Sequence, residues 1–131
     1  MYKRIFYWGI SAGIASAVAA LIYNRVYFFI TEANFSKVVN LPSLIGANLL
    51  ACMLAALLYW VCKRSLPKKG ELIFNFVFAI LSFASIILPI AVHLPLDIQF
   101  PELFPGLTIP MHFFPALAWH TLRPIFAEKP V

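Results

Sequence analysis

The sequence predicts an all-α membrane protein, folded as an antiparallel bundle of four transmembrane helices. Three observations lead there. Of 131 residues, 63% are hydrophobic and only 11% are charged, where an ordinary soluble domain carries about 25% charged residues. A chain this short has too much surface for its volume to hide that apolar excess from water. The apolar residues also come in long blocks, each of about the 20 residues that cross a hydrocarbon core as a helix. Finally, Lys and Arg gather at the ends of those blocks, above all in Lys63-Arg64-Ser65-Leu66-Pro67-Lys68-Lys69-Gly70. No aromatic-basic groove accompanies them. The net charge of +5 therefore suits anionic headgroups and topology control rather than nucleic acid.

The first span runs from Ile5 to Asn24, behind the basic start Lys3-Arg4. Its 20 residues cover about 30 Å as a helix. A secretory signal peptide is the competing reading, with Ala17-Val18-Ala19 as a small-residue cleavage site. The apolar run continues past that site through Leu21 and Ile22, which favours a retained span. Gly9, Gly13, Ser16 and Ala20 fall on one helical face. Gly9 and Gly13 form a small-xxx-small pair that lets a second backbone approach closely. Arg25 lies near the far interface, where its guanidinium can snorkel to phosphates. The connector from Val26 to Asn40 brings the interfacial aromatics Tyr27, Phe28 and Phe29. Asn34-Phe35-Ser36 fits a glycosylation acceptor, relevant only in a secretory-pathway host.

The second span covers Leu41 to Cys62, with Asn40 as N-cap and Pro42 in the first turn. Ala47, Ala51 and Ala55 repeat a small residue every four positions, and this stripe is expected to pack on the small face of the first span. Tyr59 and Trp60 are expected at the interface beside the basic loop. Cys52 and Cys62 stand about 15 Å apart on one helix, so they cannot pair and read as small apolar fillers. The third span covers Leu72 to Val92, with Glu71 at its start. Asn75, Ala79, Ser82, Pro89 and His93 share one of its faces. Pro89 frees the carbonyl of Ser85 and predicts a kink. The loop from His93 to Phe104 holds Pro95, Pro101, Asp97 and Glu102 but no Lys or Arg; it is apolar enough to cover the bundle top, lie in the interface or dock a partner. In the fourth run, Phe104 to Leu122, the residues Pro105, Pro110 and Pro115 predict an irregular start. That leaves a clean helix only from Leu107 to Leu122, about 24 Å long.

Basic residues mark the cytoplasmic side. Lys3 and Arg4, the loop lysines and Arg64, and Arg123 with Lys129 all fall on one side if four spans leave both termini inside. On the other side Arg25 and Lys37 are offset by Glu32, and the last loop has only acids. Three short stretches, Ala20-Leu21-Ile22-Tyr23-Asn24, Gly46-Ala47-Asn48, and Met111-His112 followed by Ala116, resemble a group of small bacterial four-span integral membrane proteins known only as a domain of unknown function. The proline-dense stretch from Pro95 to Pro115 departs from that group. The resemblance implies a four-span fold in a bacterial inner membrane and supplies no activity.

Reactive constellations are sparse. The sequence has no Gly-rich phosphate loop, no CxxC and no serine with a histidine-carboxylate partner set, so neither catalysis nor a cofactor is expected. His93 and His112 fall toward the outer side on adjacent spans. They could ligate a haem axially, or hold a divalent metal with Asp97 or Glu102; the plainer role is a hydrogen bond to a neighbouring helix. His112 and His120 stand about 12 Å apart and cannot share an ion. No charged residue is placed at mid-membrane, so the usual marker of a proton relay is missing. Asn24, Asn48, Asn75, Ser82, Ser85 and His112 could line a narrow polar path, although interhelical hydrogen bonds explain them more simply.

Three functional readings follow. The first is a structural or accessory membrane protein acting through contacts with lipids, other membrane proteins or a second copy of itself, without nucleic acid. The second is a small transporter or channel lined by Asn48, Asn75 and His112. The third is a metal- or haem-binding membrane subunit using His93 and His112.

Overall fold

A computed structural model describes residues 2–37, 39–91, 93, 94, 96, 98 and 100–126. The expectations resting on Val92, Pro95, Asp97 and Lys129 lie outside these residues. The described chain is 85% helix with no strand. Its elements are α1 (Tyr2–Thr31), α2 (Leu41–Ser65), α3 (Gly70–Ser85), α4 (Ile87–Ala91), a short 3-10 turn (Pro101–Leu103) and α5 (Phe104–Phe126). Three helices are long and apolar enough to cross a membrane: α1, α2 and the near-continuous stretch Gly70–Ala91. The 23 residues of α5 reach about 34 Å, but α5 is not apolar enough to stand with those three.

α1 and α2 run antiparallel and touch closely because α1 has no side chains along part of its seam. A Cβ at Gly9 would lie 2.9 Å from Ala56 Cβ and 3.2 Å from the Cys52 carbonyl oxygen. One at Gly13 would lie 2.8 Å from Leu49 Cδ2 and 3.1 Å from Leu49 Cα. One turn further along α1, Ser16 Oγ donates to Asn48 Oδ1. The alanine stripe of α2 does not face this seam as expected. Asn48, Cys52 and Ala56 meet α1, while Ala47 is exposed and Ala51 lines a cleft on another side. The glycines fit against any α2 face, and the Ser16–Asn48 bond selects the one that carries Asn48.

The basic loop is a tight hairpin. Asn40 caps α2 at its start, accepting from the Ser43 backbone N–H at 3.0 Å. At the end of α2, the Leu66 N–H bonds the Cys62 carbonyl at 2.9 Å and the Gly70 N–H bonds the Leu66 carbonyl at 2.6 Å. A Cβ at Gly70 would sit 2.2 Å from the Cys62 carbonyl oxygen, so only glycine lets α3 begin there. The Arg64 guanidinium lies over the Trp60 ring, 5.2 Å from its centroid. Glu71, in the first turn of α3, pairs with Arg123 near the end of α5.

α3 stops where Pro89 requires it to. Pro89 has no N–H for the Ser85 carbonyl, and its ring crowds that carbonyl. The helix ends at Ser85, the Ile86 N–H turns back to the Phe83 carbonyl at 3.2 Å, and α4 resumes at Ile87.

α5 differs from expectation. It is continuous from Phe104 to Phe126, with Pro110, Pro115 and Pro124 inside it. Pro110 removes the donor that would serve the Gly106 carbonyl; Tyr23 Oη of α1 donates to that oxygen at 2.8 Å instead. Tyr27 Oη donates to the Leu103 carbonyl at 2.7 Å. At Gly106 a neighbouring helix thus re-satisfies backbone that proline has freed.

α2 and α5 lie between α1 and α3, each helix antiparallel to its flanking partners. Two cores fill the interior. Near the basic loop, Trp8 stacks on Trp119 with centroids 4.1 Å apart, and Tyr59, Phe74 and Phe78 pack edge-on or tilted around them. Trp8 Nε1 donates to the Trp119 carbonyl at 2.9 Å. Tyr59 is therefore a core residue rather than an interfacial one: it is only 6% exposed. At the opposite end, Phe35 of the connector meets Phe104 edge-on at 5.3 Å. Ala33, Ile98, Leu107 and Met111 join them, so the connector and the proline-rich loop cap that end. The outward faces stay apolar, with Phe29, Ile30, Phe76, Ile80, Phe83 and Leu88 all exposed.

Candidate functional site: a cleft between α2, α3 and α5

The alanine stripe, lacking bulk, leaves a cleft of about 500 Å³ between α2 and α3, floored by α5. Most of its wall is aliphatic, with Leu54 and Leu58 from α2, Leu81 from α3 and Met111 from α5. Phe78 closes it toward the aromatic core. No charged residue lines it among the described residues. Six polar side chains reach it: Ser43, Asn48, Ser82, Ser85, Thr108 and His112.

The hydrogen bonds of these groups can be followed proton by proton. Thr108 Oγ1 donates to the Phe104 carbonyl at 2.9 Å. Asn48 accepts from Ser16 and donates through Nδ2 to the Leu44 carbonyl at 2.7 Å. Ser85 Oγ lies 2.7 Å from the Ser82 carbonyl oxygen. Two oxygens this close share a hydrogen, and only the hydroxyl has one. Ser85 has then spent its proton, so it accepts from His112 Nδ1, 3.1 Å away. Nδ1 of His112 therefore carries a proton, and in the neutral ring Nε2 keeps its lone pair. The Ser82 hydroxyl makes no hydrogen bond among the described residues.

The candidates read from sequence divide here. Asn48, Ser82, Ser85 and His112 come together in the cleft. Asn24 on α1 and Asn75 on α3 are half-buried and do not line it. His93 is exposed and lines a different cavity of about 310 Å³, with Pro89, Ile98, Pro101 and Phe104. His93 and His112 thus belong to separate cavities. No group of three or more His, Cys, Asp or Glu residues suited to a metal occurs among the described residues. Sequence reasoning missed Thr108. Its signal was present, since Thr108 precedes His112 by four residues and so shares its helical face. The clean helix expected from Leu107 to Leu122 already held both residues.

Comparison with models of protein families, with curated proteins and with solved structures finds no match to this chain.

Proposed function

We propose that this chain is an integral membrane protein of accessory type that works by receiving a bilayer-dissolved molecule in the cleft between α2, α3 and α5. In this reading α5 is the fourth span of an antiparallel bundle. Both termini and the Lys63–Gly70 loop face the cytoplasm of a bacterial inner membrane, as in the small four-span group that the sequence resembles. The observation that carries the reading is the cleft itself: a large, nearly apolar recess with a few polar groups converging in it, the usual form of a small-molecule site. The exposed leucines and phenylalanines of the perimeter support lipid as the surrounding solvent. The basic loop supports the orientation.

Conduction through the bundle is the second reading, favoured by the convergence of Asn48, Ser82, Ser85 and His112. Against it, the polar groups give way to the Trp8, Tyr59, Phe74, Phe78 and Trp119 layer before the basic end, and Asn75 lies outside the cleft. Binding therefore accounts for the arrangement better than passage.

The test is photolabelling in proteoliposomes with a single-chain hydrocarbon that carries a diazirine and dissolves in the bilayer, mapped by mass spectrometry. Labels at Leu54, Leu58 and Leu81 are expected above the level on perimeter residues such as Phe76. Labelling confined to the perimeter would overturn the reading.

A further inference from the structure

Resting on that reading, we infer that the cleft selects a neutral, single-chain molecule whose head is one hydroxyl group, a long-chain alcohol in chemical class. Four observations converge on it. Among the described residues, the lining has no Lys, Arg, Asp or Glu. A phosphate, carboxylate or ammonium head would therefore sit without a counter-charge in an apolar recess, a costly state. At about 500 Å³, and with a methylene occupying roughly the ~30 Å³ of a water molecule, there is room for about sixteen carbon-sized groups. That matches one chain held within the recess, with the second chain of a two-chain lipid left outside it.

The polar pole asks for a group that donates and accepts together. His112 Nε2 is an acceptor, because the Ser85 bond holds the ring proton on Nδ1. Thr108 Oγ1 is also left as an acceptor, its proton being used on the Phe104 carbonyl. The Ser82 hydroxyl, uncommitted among the described residues, is a donor. Ser82, Thr108 and His112 all line this cleft, so a ligand hydroxyl there has an acceptor in His112 Nε2 or Thr108 Oγ1 and a donor in Ser82. An ether cannot donate, and an ionised head has no partner charge. A ketone is served on one side only.

Competitive photolabelling tests this. The probes are a diazirine-bearing alcohol of about sixteen carbons, its methyl ether and the matching carboxylic acid, each presented to the full chain in proteoliposomes. The alcohol should label the cleft peptides about tenfold above the ether and the acid. His112→Leu should bring the alcohol down to the level of the ether without changing the ether. Should His112→Leu melt early in detergent, Ser82→Ala and Thr108→Val carry the same test with less loss of volume, and each should narrow the alcohol-to-ether ratio. Equal cleft labelling by alcohol and ether, or preference for the acid, overturns the hydroxyl-selective site while the cleft still receives apolar molecules. Absence of cleft labelling by all three overturns both readings.

Discussion

Tyr23→Phe isolates one hydrogen bond across the α1–α5 seam, and its cost depends on a residue that Tyr23 does not have to touch. In a helix the carbonyl of residue 106 would be served by the N–H of residue 110. Pro110 has none, and Tyr23 Oη supplies the donor at 2.8 Å. Removing the hydroxyl leaves that carbonyl unpaired, which costs about 1–3 kcal/mol where water is excluded. The bond lies near the protein surface, and polar contacts between membrane helices average only about 0.6 kcal/mol. Tyr23→Phe is therefore expected to cost about 1 kcal/mol, close to a fivefold shift in the unfolding equilibrium. In a Pro110→Ala background the alanine N–H can serve Gly106, and the same substitution should cost only a few tenths of a kcal/mol. The assay is a double-mutant cycle, read by tryptophan fluorescence during unfolding of the micellar protein with a denaturing detergent. The buried Trp8–Trp119 stack is the reporter. Equal losses from Tyr23→Phe in both backgrounds would sink the idea that α1 repairs the proline-broken backbone of α5.

Three further outcomes are expected. Gly13→Ala brings a Cβ within 3.1 Å of Leu49 Cα and should destabilise the bundle by about 1–3 kcal/mol through overpacking. Gly46→Ala meets nothing within 4 Å and should lie between neutral and about 1 kcal/mol stabilising from helix propensity; melting in detergent ranks the pair, and the reverse order would refute the seam. Gly70→Ala forces a Cβ to 2.2 Å from the Cys62 carbonyl and should cost about 3 kcal/mol, lowering the melting point more than Gly13→Ala does. Ser65→Cys should resist a membrane-impermeant maleimide on intact cells while Glu102→Cys reacts, both judged in a background where Cys52 and Cys62 are serine; the opposite pattern would invert the topology.

Local chemistry was legible in the sequence, and tertiary chemistry was not. Asn40 and Pro42 name a helix start, and Pro89 names a break one turn upstream of itself. Both effects operate within a turn of the residue concerned, and both occur. The continuity of α5 was hidden because the donor for Gly106 comes from α1, 83 residues away in the chain. The alanine stripe of α2 was readable as a stripe but not by direction, since small residues suit a close helix contact and an empty wall equally. Asn75 and Ser82 share a face of α3, yet only Ser82 reaches the cleft. At the level of Asn75 the space is already filled, with Tyr59 5.1 Å and Trp119 5.6 Å from the adjacent Phe74 ring.

The depth of the polar groups leads to the same ligand by a separate route. α3 is fastened at its basic end by the hairpin, the Glu71–Arg123 pair and the aromatic layer. Beyond Phe78 its ties to α5 are lighter: the Ser85–His112 hydrogen bond and the Phe83–Phe113 ring contact, just before the helix breaks at Ile86. The cleft lies on that lightly held side. His112 is eight residues into α5, about 12 Å from its start, so a head bound there sits below the headgroup layer if α5 spans the membrane. At such a depth an ionic head would forfeit its hydration for no compensating charge. A hydroxyl forfeits its bonds to water and recovers one as donor, to His112 or Thr108, and one as acceptor, from Ser82. The break that Pro89 imposes and the proton that Ser85 withholds from His112 therefore act on the same site. One loosens the wall, and the other sets the polarity of what the wall can hold.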